Sequence, residues 1–195
     1  MRPAFLTAQR RIDMYWEKDG FILRPATQED AQAYYHTNFA PLDPEIARLT
    51  GSKSHFTREE VVNFFMQCRE ADDRMDFLLI APDGKIIGES VLNEMDPKLK
   101  SANFRIAIFQ PAYLQKGLGS WMIEKTLEYG FGVAKLHRIS LSVFSFNPRA
   151  IHVYEKAGFH QEGILVDAAM DGNTYADEIL MAMLGHDWRR QNAIL

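Results

Sequence analysis

Apolar and polar positions along this chain follow two different periods. In Phe104-Arg105-Ile106-Ala107-Ile108-Phe109 the apolar residues alternate as in a strand, and Pro111 ends the run. After it, Leu118, Trp121 and Met122 share a helical turn, and Ile123, Leu127, Phe131 and Ala134 follow at intervals of four, four and three. That spacing predicts one long amphipathic helix. Ile139, Leu141 and Val143 alternate with Ser140 and Ser142, a second strand. Next comes a short, well-signposted helix: Asn147 is a capping residue, Pro148 suits the first helical position, and Gly158 suits a left-handed stop. On it Asn147, Ala150/Ile151 and Tyr154 share a face.

Upstream, Phe21-Ile22-Leu23-Arg24 reads as the first strand. Thr27 with Asp30 opens a helix through Tyr34 and Tyr35, and Thr57 with Glu60 opens another before Val61, Val62, Phe64 and Phe65. Residues 77–80 and 85–92 flank Pro82-Asp83-Gly84, a hairpin turn. The order predicts an α/β (α+β) domain, a mixed and mostly antiparallel sheet with helices on both faces. Its expected extent is 21–185, with an N-terminal extension (1–20) and a C-terminal tail (186–195). In the extension, Ile12, Tyr15 and Trp16 suit a docking helix or a subunit contact, such as a homodimer's.

The 195 residues suffice for one domain with a sizeable core. At 47% hydrophobic and 25% charged, the composition is that of a globular protein. No apolar run is long enough to span a bilayer, and Met1-Arg2-Pro3-Ala4-Phe5 does not open a secretory signal, so no membrane association is expected. The single cysteine, Cys68, excludes an internal disulfide and fits a cytoplasmic setting. A net charge of −4 disfavours a general nucleic-acid surface and mildly favours a cationic substrate. The six histidines show no metal-ligand spacing, and no metal is expected. His137-Arg138 suits a C-terminal cap for the long helix. Glu59-Glu60 and Asp72-Asp73 read as solvated faces, and Met181 and Met183 as core.

The chemistry concentrates in Gln115-Lys116-Gly117-Leu118-Gly119-Ser120, between strand and helix. First-turn N–H groups lack intrahelical partners, the dipole adds positive charge there, and Gly117 and Gly119 let the backbone curl around an anion. This reads as a phosphate or pyrophosphate cradle, with a simple helix-capping turn as the alternative. Neither P-loop nor dinucleotide spacing is present, since position 122 is Met.

The loop, the run from Phe146-Asn147-Pro148-Arg149-Ala150 to Tyr154-Glu155-Lys156-Ala157-Gly158-Phe159, and a closing hairpin around Asp171-Gly172-Asn173 together resemble the GNAT superfamily of N-acetyltransferases. The similarity covers residues 20–185 and is greatest to the bacterial spermidine-type and ribosomal-protein-type branch. It implies a fold whose cofactor, acetyl-CoA, lies where two central parallel strands splay apart. Residues 115–120 would bind its pyrophosphate, Ile106, Ala107 and Ile108 would pair with the pantetheine arm, and Asn147 would contact the cofactor. Tyr154 falls where the family keeps the tyrosine that protonates the departing thiolate. Two departures stand out. Leu114 occupies a position that is usually Gln or Arg, and Asn103 stands where spermidine-type relatives often carry Glu.

The reaction implied is direct attack of a primary amine on the thioester. Neutralising an amine of pKa ~10.4 at pH 7 costs about 4.6 kcal/mol, against about 1 kcal/mol for an α-amino group near ~7.8. A lysine or polyamine acceptor therefore needs a general base more than a protein N-terminus does. Glu89 is the leading candidate, with Glu94 beyond it. Acceptor choice, peptide amine or small amine, is expected to lie in 38–54 and 166–174, where Asp167 and Asp171 suit a cation. A non-catalytic acyl-CoA-binding module is the alternative.

Overall fold

The computed structural model describes residues 14–193. Strands β1 (Trp16–Lys18), β2 (Phe21–Pro25), β3 (Met75–Ile80) and β4 (Ile86–Asp96) precede β5 (Ser101–Ile108) and β6 (Arg138–Phe144). A hairpin of β7 (His160–Asp171) and β8 (Thr174–Leu184) completes one sheet in the order β1-β2-β3-β4-β5-β6-β8-β7. Its pairs are antiparallel except β5 with β6. That exception follows from the connection, since a helix crosses over between the two strands and returns the chain in the same direction.

The sheet divides two cores. Helices α1 (Ala31–Asn38), α2 (Pro44–Thr50) and α3 (Arg58–Glu70) cover one face. Helices α4 (Leu118–Leu127) and α5 (Pro148–Ala157) cover the other, where Trp188 of α6 (Gly185–Asn192) also packs. Strand β3 is buried throughout because it serves both cores: Phe77 and Leu79 point to one, Leu78 and Ile80 to the other.

Local signals set most element boundaries. The Thr57 hydroxyl accepts from Glu60 N–H at 3.2 Å, and Thr57 N–H donates back to the Glu60 carboxylate at 2.7 Å. Thr27 N–H donates to Asp30 at 2.7 Å, but the turn it opens is 3-10 (Gln28–Asp30) before α1 begins. Helix α5 starts at Pro148 and stops against Gly158, whose φ of 103° only glycine adopts cheaply. Met181 and Met183 are core, and the carboxylates of 59–60 and 72–73 sit at the surface, Glu60 paired with Lys53 at 2.5 Å.

Three expectations are corrected. The long helix is α-helical only to Leu127; residues Glu128–Val133 continue as a π-helix through Gly130 and Gly132, and Leu136 N–H closes on Gly130 O. His137-Arg138 does not cap it, because Arg138 already begins β6 and its guanidinium forks onto Glu162. Trp16 lies on a strand rather than a docking helix, its ring edge-on to Phe77 at 5.4 Å, while Tyr15 is exposed and Ile12 lies outside the described residues.

Phe77 is fully buried between the rings of Trp16 and Tyr129 (5.4 and 5.3 Å). Phe77→Ala is expected to lower unfolding free energy in urea by about 3–5 kcal/mol; a loss below about 1 kcal/mol would contradict this packing.

Candidate active site

The parallel pairing of β5 and β6 is brief: Ser101 with Arg138, Ala102 with Ile139, and Asn103 with Ser140. Beyond Asn103 the strands part, although β5 runs on to Ile108 still paired to β4. The β5 edge over 104–108 therefore presents backbone groups toward β6 with no strand opposite. A cavity of about 940 Å³ opens at this parting, walled by Ile106, Ala107 and Ile108 on one side and Ser142, Val143 and Phe144 on the other.

One end of the cavity is backbone. Gln115 and Gly117 have left-handed φ (60° and 73°), which turns the chain into α4 with Gly117 as its cap. The first helical bond runs from Trp121 N–H to Gly117 O at 3.1 Å, so the N–H groups of Leu118, Gly119 and Ser120 have no helical acceptor. Gln115, Gly117, Gly119 and Ser120 line the cavity. Lys116 does not; its ammonium lies 5.2 Å from the Tyr113 ring centroid. The Leu118 side chain is buried in the core and does not line the cavity. Leu114 also lines the cavity and adds no charge.

The middle carries Asn147 and Tyr154. Asn147 Oδ1 accepts from Ala150 N–H at 3.2 Å, which caps α5 and leaves the amide nitrogen free of that bond. Tyr154 is 8% exposed and packs edge-on against Phe104 and Phe159. Among the described residues its hydroxyl meets no hydrogen-bond partner. Burial pushes its phenol up to about 12, so it stays protonated across the working pH range.

The other end lies over the α1–α3 face of the sheet. Register places Glu89 opposite Ala107 and Val91 opposite Arg105 on that face. Tyr34 O–H donates to Glu89 Oε2 at 2.7 Å. Burial first, then the Glu89 carboxylate, raise the Tyr34 phenol well above its ordinary value, so it remains a donor. The walls are aromatic and aliphatic, with Phe39, Leu42, Ile46 and Phe56 prominent. Of the two segments expected to rim this end, 38–54 contributes walls and 166–174 does not. Asp171 is no free cation site: Arg48 grips it through Nε at 2.6 Å and Nη2 at 2.7 Å and lowers its carboxyl below the usual range.

The fold thus gathers Glu89, Ile106–Ile108, the glycine loop, Asn147 and Tyr154 around one cavity, with the side chains of Lys116 and Leu118 outside it. Tyr34 and Arg105 are site residues that the sequence reading passed over. Arg105 had a signal, an arginine in the middle of an apolar strand; Tyr34 had none, because its partner lies 55 residues away. Among the described residues no cluster of three or more His, Cys, Asp or Glu could hold a metal. An unpaired strand edge beside an unpaired helix start suits an extended amide-bearing arm ending in a diphosphate, the shape of a coenzyme A thioester.

Comparison with known proteins agrees with this shape. The model of the acetyltransferase (GNAT) domain matches residues 21–160. The chain is 37% identical to spermidine N(1)-acetyltransferase of Vibrio cholerae over 51% of this chain and 57% of that protein. With the Escherichia coli K12 spermidine N(1)-acetyltransferase, 34% identical, the match spans 56% of the relative, so each alignment covers little more than half of a curated enzyme. An uncharacterized N-acetyltransferase of the Bacillus subtilis SPbeta prophage is 29% identical over 87% of this chain and 92% of its own length. The crystal structure of the Vibrio cholerae spermidine enzyme with CoA and spermine superposes with a TM-score of 0.78 at 26% identity, covering 88% of this chain and 99% of that one.

Asn147→Ser separates capping from ligand contact, since serine also caps. Its melting temperature is expected to stay near wild type while coenzyme A affinity, read by calorimetry, falls several-fold. Unchanged affinity would leave Asn147 as a cap alone.

Proposed function

The chain belongs to the GNAT acetyltransferase family, and we propose that it transfers the acetyl group of acetyl-CoA to a primary amine within this cavity. The observation that carries the reading is the meeting, in one cavity, of the unpaired β5 edge, the unpaired start of α4 and a buried phenol. Acetyl-CoA, when bound, supplies a thioester carbonyl carbon open to attack. The N–H groups of 118–120 hold the diphosphate, the β5 edge at Ile106–Ile108 aligns the pantetheine amides, and the Asn147 amide steadies the arm.

Glu89 supplies the basic end. Tyr34 occupies Oε2, which fixes the carboxylate and leaves Oε1 to take a proton from the ammonium, directly or through a water. The nitrogen lone pair then forms the C–N bond as the C–S bond breaks. Tyr154 gives its proton to the departing sulfur and regains one as the new amide nitrogen sheds its second proton to solvent, and Glu89 releases the proton it took. The products are an amide, a free thiol and one proton, which balances an ammonium and a thioester as reactants. The acceptor amine of the spermidine enzymes is one candidate; the polarity of this cavity bears on that choice below.

Tyr154→Phe is expected to lower turnover by about 10²–10⁴-fold in a thiol-release assay while coenzyme A still binds. An acyl-CoA-binding module without catalysis would release no thiol with any amine and would be indifferent to this change.

The proton donor must be protonated to act, and burial moves it upward, from 10.0 to about 12. Wild-type kcat is therefore expected to show no alkaline fall below pH of about 10. A fall centred near pH 8 would assign the donor to another group.

A further inference from the structure

The proposal concerns the acceptor and rests on the acetyl-transfer reading above. The charges along the cavity are unevenly satisfied. Glu60 pairs with Lys53 at 2.5 Å, and Asp76 is held by Arg69 and, at 2.6 Å, by Arg74. These acids are neutralised and offer little to a polycation. Asn103, on the same face, is neutral and donates to Asn93 at 2.9 Å. Overall, cations outnumber acids along the lining. Glu178 lines the cavity as well, but on β8, in register with Phe144 and across the parting from β5.

Four lining charges fall outside these ion pairs: Arg149 and Glu178 on the β6 side of the parting, and Glu89 and Arg105 on the β4–β5 pair. Glu89 and Arg105 are diagonal neighbours on one face of that pair, since Glu89 faces Ala107 and Arg105 faces Val91. Such neighbours sit roughly 7–8 Å apart at the backbone, within reach of long side chains. Among the described residues Arg105 forms no ion pair, with Glu89 or any other acid, so its fork is available to a ligand. Beside the pair lie the aromatic walls, with Phe39 and Phe56 edge-on at 5.4 Å and Tyr34 tilted on Phe39 at 5.3 Å.

We infer that the acceptor is a zwitterionic α-amino acid with an apolar or aromatic side chain. Its ammonium meets Glu89, its carboxylate takes the Arg105 fork, and its side chain enters the aromatic end. A carboxylate two bonds from the reacting nitrogen matches a cation placed one register step from the base. Arg105 suits a planar carboxylate because guanidinium donors match it two at a time. A polyamine carries no anion for Arg105 and brings several cations to a lining already short of free acids. A peptide N-terminus has its carboxylate replaced by an amide.

The test is a thiol-release assay with acetyl-CoA on phenylalanine, leucine and methionine, their carboxamides, phenethylamine, a short peptide and spermidine. The free amino acids are expected to exceed their carboxamides in kcat/KM by about 10- to 100-fold, the range of a charge-assisted contact. Arg105→Gln is expected to remove that preference, mainly by raising KM for the free amino acids. Equal or better use of carboxamides, phenethylamine, the peptide or spermidine would overturn the inference and leave acetyl transfer standing. A preference that persists in Arg105→Gln would also overturn it. Were that variant unfolded, the wild-type acid-to-amide ratio would decide alone. Thiol release with none of these amines, despite bound coenzyme A, would instead overturn the transferase reading itself.

Discussion

The site depends on one interruption: β5 and β6 pair in parallel as far as Asn103 and then separate. Backbone donors and acceptors inside a protein need partners, and an unpaired strand edge in the middle of a sheet is costly unless water or a ligand meets it. Here the edge is kept open because both strands are held from their outer sides. β4 pairs with β5 up to Ile108, and β8 pairs with β6 up to Phe144. The parting is therefore a feature of a rigid frame. The glycine loop lies at the outer end of the same edge, and Ile108 and Gly117 line one cavity.

The cavity's two ends work on different physics. The loop end offers main-chain N–H groups at a helix start, set by the turn geometry at Gln115 and Gly117. At the far end the side chains decide. Glu89 is held in place by a phenol that burial keeps protonated, Arg105 is left without a counter-charge, and Glu60 and Asp76 are occupied by their own cations. The first arrangement suits a ligand common to many proteins, the second a particular acceptor.

Elements whose signals are local were legible in the sequence. Thr57/Glu60, Asn147-Pro148 and Gly158 each carry a cap within a few residues, and α3 begins, and α5 begins and ends, where those caps say. Helix α2 also had its marks, Asp43 and Pro44 at the start and Gly51 in a left-handed conformation at the end, yet a seven-residue helix is easily read as a loop. The π-helical continuation of α4 was hidden because apolar spacing alone does not distinguish α from π winding over six residues. β1 was hidden because a three-residue edge strand has no period to show. The glycine loop and the helix it opens were readable from spacing, and the roles proposed for Tyr154 and the strand edge come from the resemblance. The Tyr34–Glu89 bond and the isolation of Arg105 are properties of the folded register, which joins residues far apart in the chain.

The claim beneath everything else is that the open β5 edge and the start of α4 together receive one coenzyme A thioester. Amide hydrogen exchange with and without saturating acetyl-CoA tests this most directly. Slower exchange in both 104–109 and 115–121, with β2 and β3 unaffected, is the result expected. Unchanged exchange in both segments while calorimetry shows the ligand bound would place it elsewhere and contradict the account.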